Sequence, residues 1–312
     1  MMSEYPVFKK ISPHVYLIRG ENKSRFPEAN SVLIDDEILT LVDAGSNLSH
    51  IEQTLRSLQH QIEDIEQIVL THFHIDHKGY AQQILERADC EVMCHPAGKE
   101  AVETFEGMMR YYGVENHQYR SYWENILEEW LPHVKSSYKI TDYLKEGREI
   151  DCGETSLVPI HTPGHTPDHT CIGINGTETI LLVDIDLTRF GPWYGNKVSV
   201  IDEFKESVRK VINLQPKIGI SSHLLNPVED ALQERLEEFY TVFNQREKRI
   251  IENIKNGLDT VGKLSKAPTI YPRIPLDLFL IFEEFMVRKH VDQLKSKGII
   301  RQEEEKLMIE RK

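Results

Sequence analysis

The sequence predicts an α/β protein in which two β-sheets pack face to face and helices cover both outer surfaces, a four-layer arrangement. Two observations support this prediction. Short apolar runs typical of buried strands alternate with segments of helical periodicity along residues 14–221. The chain also has 312 residues, 40% of them hydrophobic, which suffices for one large domain plus a small one.

The elements follow from apolar periodicity and from the turn residues between them. Asp35, Asp36 and Glu37 separate two short apolar runs, which indicates a hairpin. Strands are predicted at residues 14–19, 30–34, 38–42, 65–70, 91–95, 138–143, 155–160, 170–174, 179–183 and 217–221. Helices are predicted at residues 47–60, 79–88, 202–213 and 229–256, and residues 98–135 are predicted to be mainly helical.

The last part of the chain has a different organisation. It contains a short helical piece at residues 260–266, a proline-containing loop, a longer helix at 278–298 and two short runs that can pair as a hairpin. This order is that of a winged helix-turn-helix. We therefore predict a large α/β domain over residues 1–230 and a small helical, winged-helix-like C-terminal domain over residues 231–312.

Charge is unevenly distributed along the chain. The formal net charge is −13, yet residues 231–312 carry 16 basic and 14 acidic residues, so the acidic excess lies in residues 1–230. An acidic body repels polyanions, although a local metal site still attracts them. No apolar run is long enough to span a membrane and no signal peptide is recognisable, so we expect a cytoplasmic protein without membrane partners. The four cysteines form no C-x-x-C pair and are expected to be buried thiols.

The segment Thr71-His72-Phe73-His74-Ile75-Asp76-His77 is the strongest chemical signal. Alternate side chains of an extended segment point the same way, so His72 and His74 can reach one metal ion. A turn at Asp76 and His77 would direct these two side chains toward a second ion. Burying so many polar groups without a metal would be costly.

Three further motifs each end an apolar run or a rigid turn with a metal-ligating side chain. His165 follows the turn Thr162-Pro163-Gly164, with His161 and His169 as weaker alternatives. Asp184 follows the apolar run 181–183 and can bridge two cations, although Asp186 competes for that role. His223 ends the run 218–222.

Together the segments THFHIDH, HTPGHT, LLVDID and ISSH resemble, in order and approximate spacing, the metal-binding motifs of the metallo-β-lactamase-fold hydrolases. The resemblance spans about residues 10–225 and implies an αββα sandwich with its metals at one edge, between the sheets. It assigns His72, His74 and His165 to a first metal ion and Asp76, His77 and His223 to a second, with Asp184 bridging them. The ions are expected to be zinc, with iron or manganese as alternatives.

The sequence departs from the family pattern at two positions. Val183 stands where a glycine often precedes the bridging Asp, and Lys78 stands where a small or apolar residue often follows the last His. His74 occupies the position at which related oxygen-reducing di-iron members carry Glu, and it therefore favours hydrolysis over iron redox chemistry.

The expected mechanism is hydrolysis by a metal-bridging hydroxide. Asp76 is predicted to be both a ligand and a catalytic proton acceptor. Tyr194, in the segment Gly191-Pro192-Trp193-Tyr194-Gly195, is predicted to donate to an oxyanion, with Trp193 contacting substrate. The alternative is that these aromatic residues only pack a turn.

The favoured substrate is a small-molecule ester, thioester or lactone. The aromatic-rich residues 98–135 are either a lid over the metals or plain core. One alternative is a metal-dependent (endo)ribonuclease that grips nucleic acid with the C-terminal domain, through basic residues such as Arg288 and Lys295. Another is a non-enzymatic nucleic-acid-binding or regulatory protein that keeps its metals for structure, and a homodimer is also possible.

Overall fold

The structure, a computed structural model, describes residues 5–131 and 133–310. One sheet follows the chain order β1 (Phe8–Ser12), β2 (Val15–Ile18), β3 (Ser31–Ile34), β4 (Thr40–Val42), β5 (Gln67–Leu70), β6 (Glu91–Cys94) and β7 (Asp142–Tyr143). Its strands pair antiparallel from β1 to β4 and parallel from β4 to β7.

The second sheet has the spatial order β12-β11-β10-β9-β8. Its strands are β8 (Ile150–Asp151), β9 (Ser156–His161), β10 (Thr170–Ile174), β11 (Thr179–Val183) and β12 (Ile218–Ser221). Only β11 and β12 pair parallel within it. As a result, β5 in one sheet and β11 and β12 in the other all deliver their carboxyl ends to loops that build one site.

Helices occupy the outer layers and the C-terminal part. They are α1 (Leu48–Ser57), α2 (Ile75–Lys78), α3 (Ala81–Leu85), α4 (Lys99–Glu103), α5 (Phe105–Tyr112), α6 (Arg120–Trp130), α7 (Ile201–Leu214), α8 (Leu232–Lys255), α9 (Val261–Lys266) and α10 (Leu280–Ser296). A hairpin of β13 (Ile300–Glu303) and β14 (Lys306–Ile309) follows. Among the residues that the structure describes, none of the helices combines the length and the apolar character needed to cross a membrane.

The alternation of side chains along the strands produces the layers. On β2, Val15 and Leu17 enter a core between the sheets that also contains Leu181 of β11. Tyr16 and Ile18 point to the opposite face and join the core under α1 and α4–α6. Since successive residues of a strand face opposite sides, a strand between two apolar layers is apolar throughout. The predicted four-layer α/β fold is confirmed.

The sequence and the structure differ mainly at short elements. The strands β1 and β8 were not predicted, because β1 is a partly exposed edge strand and β8 has only two residues. The predicted strand over residues 138–143 is reduced to Asp142–Tyr143. The expected turn at Asp76 and His77 is the one-turn helix α2. All four cysteines are free thiols, and all but Cys90 are buried.

The C-terminal part shares its core with the rest of the molecule. Met286 of α10 and Leu307 of β14 pack in one cluster with Phe204 of α7. Leu278 and Phe282 instead join the cluster under α4–α6. The order of α8, α9, α10 and the hairpin agrees with the sequence expectation, whereas a winged-helix identity and a domain boundary at residue 230 remain predictions.

Candidate metal centre

Each predicted ligand lies just beyond a strand, at one edge of the sandwich. His72 and His74 follow β5, and Asp76 and His77 lie on α2 immediately after them. The remaining ligands follow other strands: His165 lies between β9 and β10, Asp184 follows β11 and His223 follows β12. A buried strand ends where its backbone reaches a crevice, and polar side chains at that point face the crevice.

Four of these side chains form a first group. One ligand atom from each of His72, His74, His165 and Asp184 lies within 4.8 Å of the others. His165 Nε2 is 3.0 Å from Asp184 Oδ2 and 3.1 Å from His74 Nδ1. Three imidazoles and one carboxylate are a donor set that zinc accepts.

The other three side chains form a second group on the opposite side of the same carboxylate. Ligand atoms of Asp76, His77 and His223 lie within 4.8 Å of one another. Asp184 Oδ1 is 3.2 Å from His77 Nε2 and 3.6 Å from His223 Nε2. Each oxygen of Asp184 therefore faces a different group, which is the geometry of a carboxylate shared between two sites.

Buried polar atoms that lack a hydrogen-bond partner indicate whether cations fit between these side chains. Among the described residues, His72 Nε2, His77 Nε2 and Asp184 Oδ1 are buried and make no hydrogen bond. Leaving such atoms unpaired costs several kcal/mol in total, whereas coordination satisfies them. Burial and the neighbouring imidazoles also hold the pKa values of His72 and His74 well below the usual range, which keeps both rings in the neutral form that binds metals.

Four ligand histidines are oriented through their second ring nitrogen. A proton fixed on that nitrogen leaves the other nitrogen free to coordinate. The pairs are His74 Nε2 with the Asn196 side-chain amide (3.1 Å to Oδ1 and 2.9 Å to Nδ2), His77 Nδ1 with Asp43 Oδ2 (2.7 Å), His165 Nδ1 with the Trp193 carbonyl (2.7 Å) and His223 Nδ1 with the Ser24 carbonyl (2.8 Å). This is the arrangement expected of a metal centre built in advance of metal binding.

Comparison with known proteins agrees with this geometry. The family model described as the metallo-beta-lactamase superfamily matches residues 25–223, more than half of the chain and the part that contains every predicted ligand. The chain belongs to the metallo-β-lactamase superfamily. It is thus a hydrolase of this metal-dependent superfamily.

Individual relatives of the superfamily cover nearly the whole chain. An atrochrysone carboxyl ACP thioesterase of Aspergillus fumigatus is 24% identical over 88% of this chain and 79% of that protein. A probable metallo-hydrolase, YqjP, of Bacillus subtilis is 22% identical over 86% of this chain and 88% of its own. The crystal structure of a metallo-beta-lactamase family protein from Thermus thermophilus superposes with a TM-score of 0.73 at 19% identity, over 96% of this chain and 100% of that one.

The weaker candidates from the sequence have structural roles. His169 is not in either group; its Nε2 accepts from the Asp184 N–H at 3.1 Å, and burial lowers its pKa to about 3. Asp186 accepts from the backbone N–H (3.0 Å) and the hydroxyl (3.1 Å) of Thr188, so it caps a turn. His161 stacks on His95. These contacts orient the loops that carry the ligands.

The two departures from the superfamily pattern have physical explanations. Val183 has φ 55°, a left-handed backbone conformation that a glycine would adopt without strain. The chain therefore accepts strain in order to turn Asp184 toward the two groups. Lys78 points away from the site: its Nζ donates to the carbonyls of Ala101 and Val102 at 2.7 Å each.

The structure contradicts the predicted role of Tyr194. Its side chain is fully buried, and its hydroxyl lies 2.7 Å from His290 Nε2 and 3.1 Å from an Arg246 guanidinium nitrogen, away from the metal ligands. Arg246 also donates to the carbonyls of Phe190 (2.6 Å) and Pro192. Tyr194 is therefore a packing residue that fixes the loop between β11 and α7, and its neighbour Trp193 faces the site.

A cavity of about 660 Å³ opens above the two groups of ligands. Aromatic side chains from four parts of the chain contribute to its wall: Phe26, Tyr112, Trp123, Phe190, Trp193, Tyr271, Phe279 and Phe282. Among the described residues of the range 98–135, Tyr112 and Trp123 line it, while Met108 and Met109 are core. The C-terminal part contributes Phe279 and Phe282 to the same wall, and the choice between a lid and plain core for residues 98–135 stays a prediction.

Asp43 is the residue that the sequence analysis missed and that the site depends on most. It ends β4, has φ 58° and accepts from both the backbone N–H and the hydroxyl of Thr71 at 2.8 Å, besides His77. Its neighbour Gly45 is required for space, since a Cβ there would lie 1.5 Å from the Asp76 carbonyl oxygen. A carboxylate at the end of an apolar strand, the pattern that identified Asp184, was the available signal.

We expect Asp43→Asn to lower the affinity for divalent metal by about 10- to 100-fold, because an amide oxygen is a weaker acceptor for the His77 Nδ1–H, which orients the ring and makes its other nitrogen a better ligand. Metal content after dialysis against graded chelator concentrations measures this effect. Asp89→Asn, which changes an exposed carboxylate, serves as the control. Equal metal affinity in wild type and Asp43→Asn would contradict the role of Asp43.

Proposed function

We propose that the chain is a dinuclear, zinc-dependent thioesterase that hydrolyses a small-molecule thioester with an apolar acyl group. The observation that carries the proposal is a carboxylate shared by two ligand groups at the floor of an aromatic cavity. The relative from Aspergillus fumigatus, which is named as a thioesterase, supports the choice of a thioester over an ester or a lactone.

In this proposal His72, His74 and His165 hold one cation, Asp76, His77 and His223 hold the other, and Asp184 contacts both. Two bound divalent cations supply Lewis acidity and lower the pKa of a water molecule toward neutrality. Iron and manganese remain alternatives to zinc, since imidazole and carboxylate donors accept all three.

Asp76 is the residue proposed to accept the proton of the attacking water. Its carboxylate lines the cavity and lies 3.6 Å from His223 Nε2. Burial raises the pKa of Asp76, against the opposing effect of His77 and His223. A carboxylate at the floor of the cavity is positioned to accept a proton from a water molecule held by the two ligand groups.

The cavity wall supplies binding energy for an apolar acyl group and excludes bulk water from it. Tyr112 contributes a hydroxyl group to this wall, as does Tyr271, whose hydroxyl accepts from Trp193 Nε1 at 2.6 Å. The Tyr112 ring stacks on His74 at 5.0 Å, and its hydroxyl oxygen accepts from the Ile75 N–H at 3.4 Å. No described side chain accepts its proton, so the hydroxyl is free to donate to the oxyanion formed from the thioester carbonyl.

A nuclease that grips nucleic acid with its C-terminal part is less well supported. Arg288 pairs with Glu284 at 2.6 Å, Lys297 pairs with Glu247 at 2.8 Å, and Arg301 pairs with Glu303. Basic residues that are already paired with carboxylates contribute less to phosphate binding. The same part of the chain places Phe279 and Phe282 in the cavity wall, a role that suits a small apolar substrate.

The proposal predicts that the metal-loaded protein hydrolyses octanoyl-N-acetylcysteamine and that Asp76→Asn lowers kcat at least about 100-fold, because it removes the proton acceptor. Asp89→Asn should match wild type. A lactone, a phosphodiester and an RNA are assayed in parallel. Activity on RNA alone would instead support the nuclease, and no activity on any substrate with metals bound would support a structural role for the ions.

Tyr112→Phe should lower kcat on the same thioester by about 10- to 100-fold with little change in KM, because the hydroxyl acts in the transition state. Tyr194→Phe is the matched control: it removes an equally buried hydroxyl that lies outside the cavity wall. We expect it to reduce stability by about 1–3 kcal/mol and leave kcat within about twofold. The opposite ranking of the two variants would restore Tyr194 as the oxyanion donor.

A further inference from the structure

Three arginines line the same cavity as the metal ligands: Arg25, Arg189 and Arg235. Two of them, Arg25 and Arg189, lie in residues 1–230, the part of the chain with a large acidic excess. The carboxylates that line this cavity are Asp76, Asp184 and Asp186, which already belong to the ligand groups or to the turn at Thr188. The cavity thus combines aromatic side chains with cationic ones, and each carboxylate that lines it already has another role.

The three arginines differ in their contacts with the protein. Arg235 donates to the Leu187 carbonyl at 2.9 Å and so helps to hold the loop. In contrast, the side chains of Arg25 and Arg189 are exposed and make no hydrogen bond or ion pair with any residue in the described ranges 5–131 and 133–310. A guanidinium in a cavity without a protein partner is suited to bind an anionic group of a ligand.

The sequence places each free arginine directly before an aromatic residue of the same wall. Arg25 precedes Phe26 in the loop before β3, and Arg189 precedes Phe190 in the loop after β11. The same two loops supply the Ser24 and Trp193 carbonyls that orient His223 and His165. Each of these two loops therefore places an arginine beside an aromatic residue of the cavity wall, and each loop also contacts a histidine of the candidate metal centre.

We infer that the substrate is an anionic thioester, whose apolar part contacts the aromatic wall and whose phosphate or carboxylate group is bound by Arg25 and Arg189. This inference rests on the proposed thioesterase function and adds the charge of the substrate to it. The anion lies on the thiol side if the carrier is phosphorylated, and on the acyl side if the acyl group is a dicarboxylate.

Three thioesters with similar acyl chains separate these possibilities. Octanoyl-coenzyme A carries its anions on the thiol side, the nonanedioic acid monothioester of N-acetylcysteamine carries one on the acyl side, and octanoyl-N-acetylcysteamine is neutral. We expect kcat/KM for one of the anionic thioesters to exceed that for the neutral one by at least about tenfold at low ionic strength, and added salt to reduce the difference.

In the double variant Arg25→Gln/Arg189→Gln, the ratio of kcat/KM for the anionic thioester to kcat/KM for the neutral one should fall about tenfold. Its kcat/KM on the neutral thioester should stay within about twofold of wild type. Arg56→Gln removes the same charge from an exposed arginine outside the cavity and should change nothing. Hydrolysis of the neutral thioester without any preference for an anionic one, or a preference that survives the double substitution, would overturn the inference and leave the thioesterase proposal standing.

If no thioester is hydrolysed, the proposed function is refuted. The anion site can still be tested in that case by measuring ligand binding. Calorimetry of the metal-loaded protein compares 4′-phosphopantetheine with pantetheine, and nonanedioate with octanoate, so that each pair differs chiefly in the extra anionic group. Tighter binding of the more anionic member, lost in the double variant, would support the anion site. Equal binding within both pairs would overturn it.

Discussion

Asp184 is the constraint on which the site depends. Its two oxygens face two separate groups of ligands, and the other six predicted ligands are placed around it by the loops that follow the strands. The chain supports this placement at an energetic cost, since Val183 takes a left-handed backbone conformation that a β-branched residue normally avoids. His169 then fixes the turned backbone by accepting from the Asp184 N–H.

The C-terminal part completes this centre. Arg246 on α8 and His290 on α10 hold the loop after β11 through Phe190, Pro192 and Tyr194. The same loop supplies the Trp193 carbonyl to His165, and the segment just after it supplies Asn196 to His74. Helices distant in sequence thereby hold two ligand histidines in place, and Phe279 and Phe282 close the cavity above them.

The sequence was sufficient to predict the ligands because the chemistry repeats one pattern: an apolar strand that ends in His or Asp. That pattern, with the H-x-H-x-D-H segment and the rigid turn before His165, predicted every side chain that the structure brings into the two groups. The fold could be predicted as well, since the continuous apolar runs of β2 and β11 reflect burial on both faces.

Partners that depend on tertiary contacts could not be predicted in this way. The Ser24 and Trp193 carbonyls carry no side-chain signal, and Asn196 lies 122 residues from the histidine that it orients. Trp193 and Tyr194 are adjacent aromatic residues, and only the packing of α8 and α10 determines which one faces the cavity.

The sharing of one carboxylate, Asp184, by two cations can be tested by measuring the metal content of Asp184→Asn beside that of Asp186→Asn. We expect two equivalents of metal per chain in wild type and Asp186→Asn and one or fewer in Asp184→Asn; two equivalents retained in Asp184→Asn would show that the two sites do not share this carboxylate.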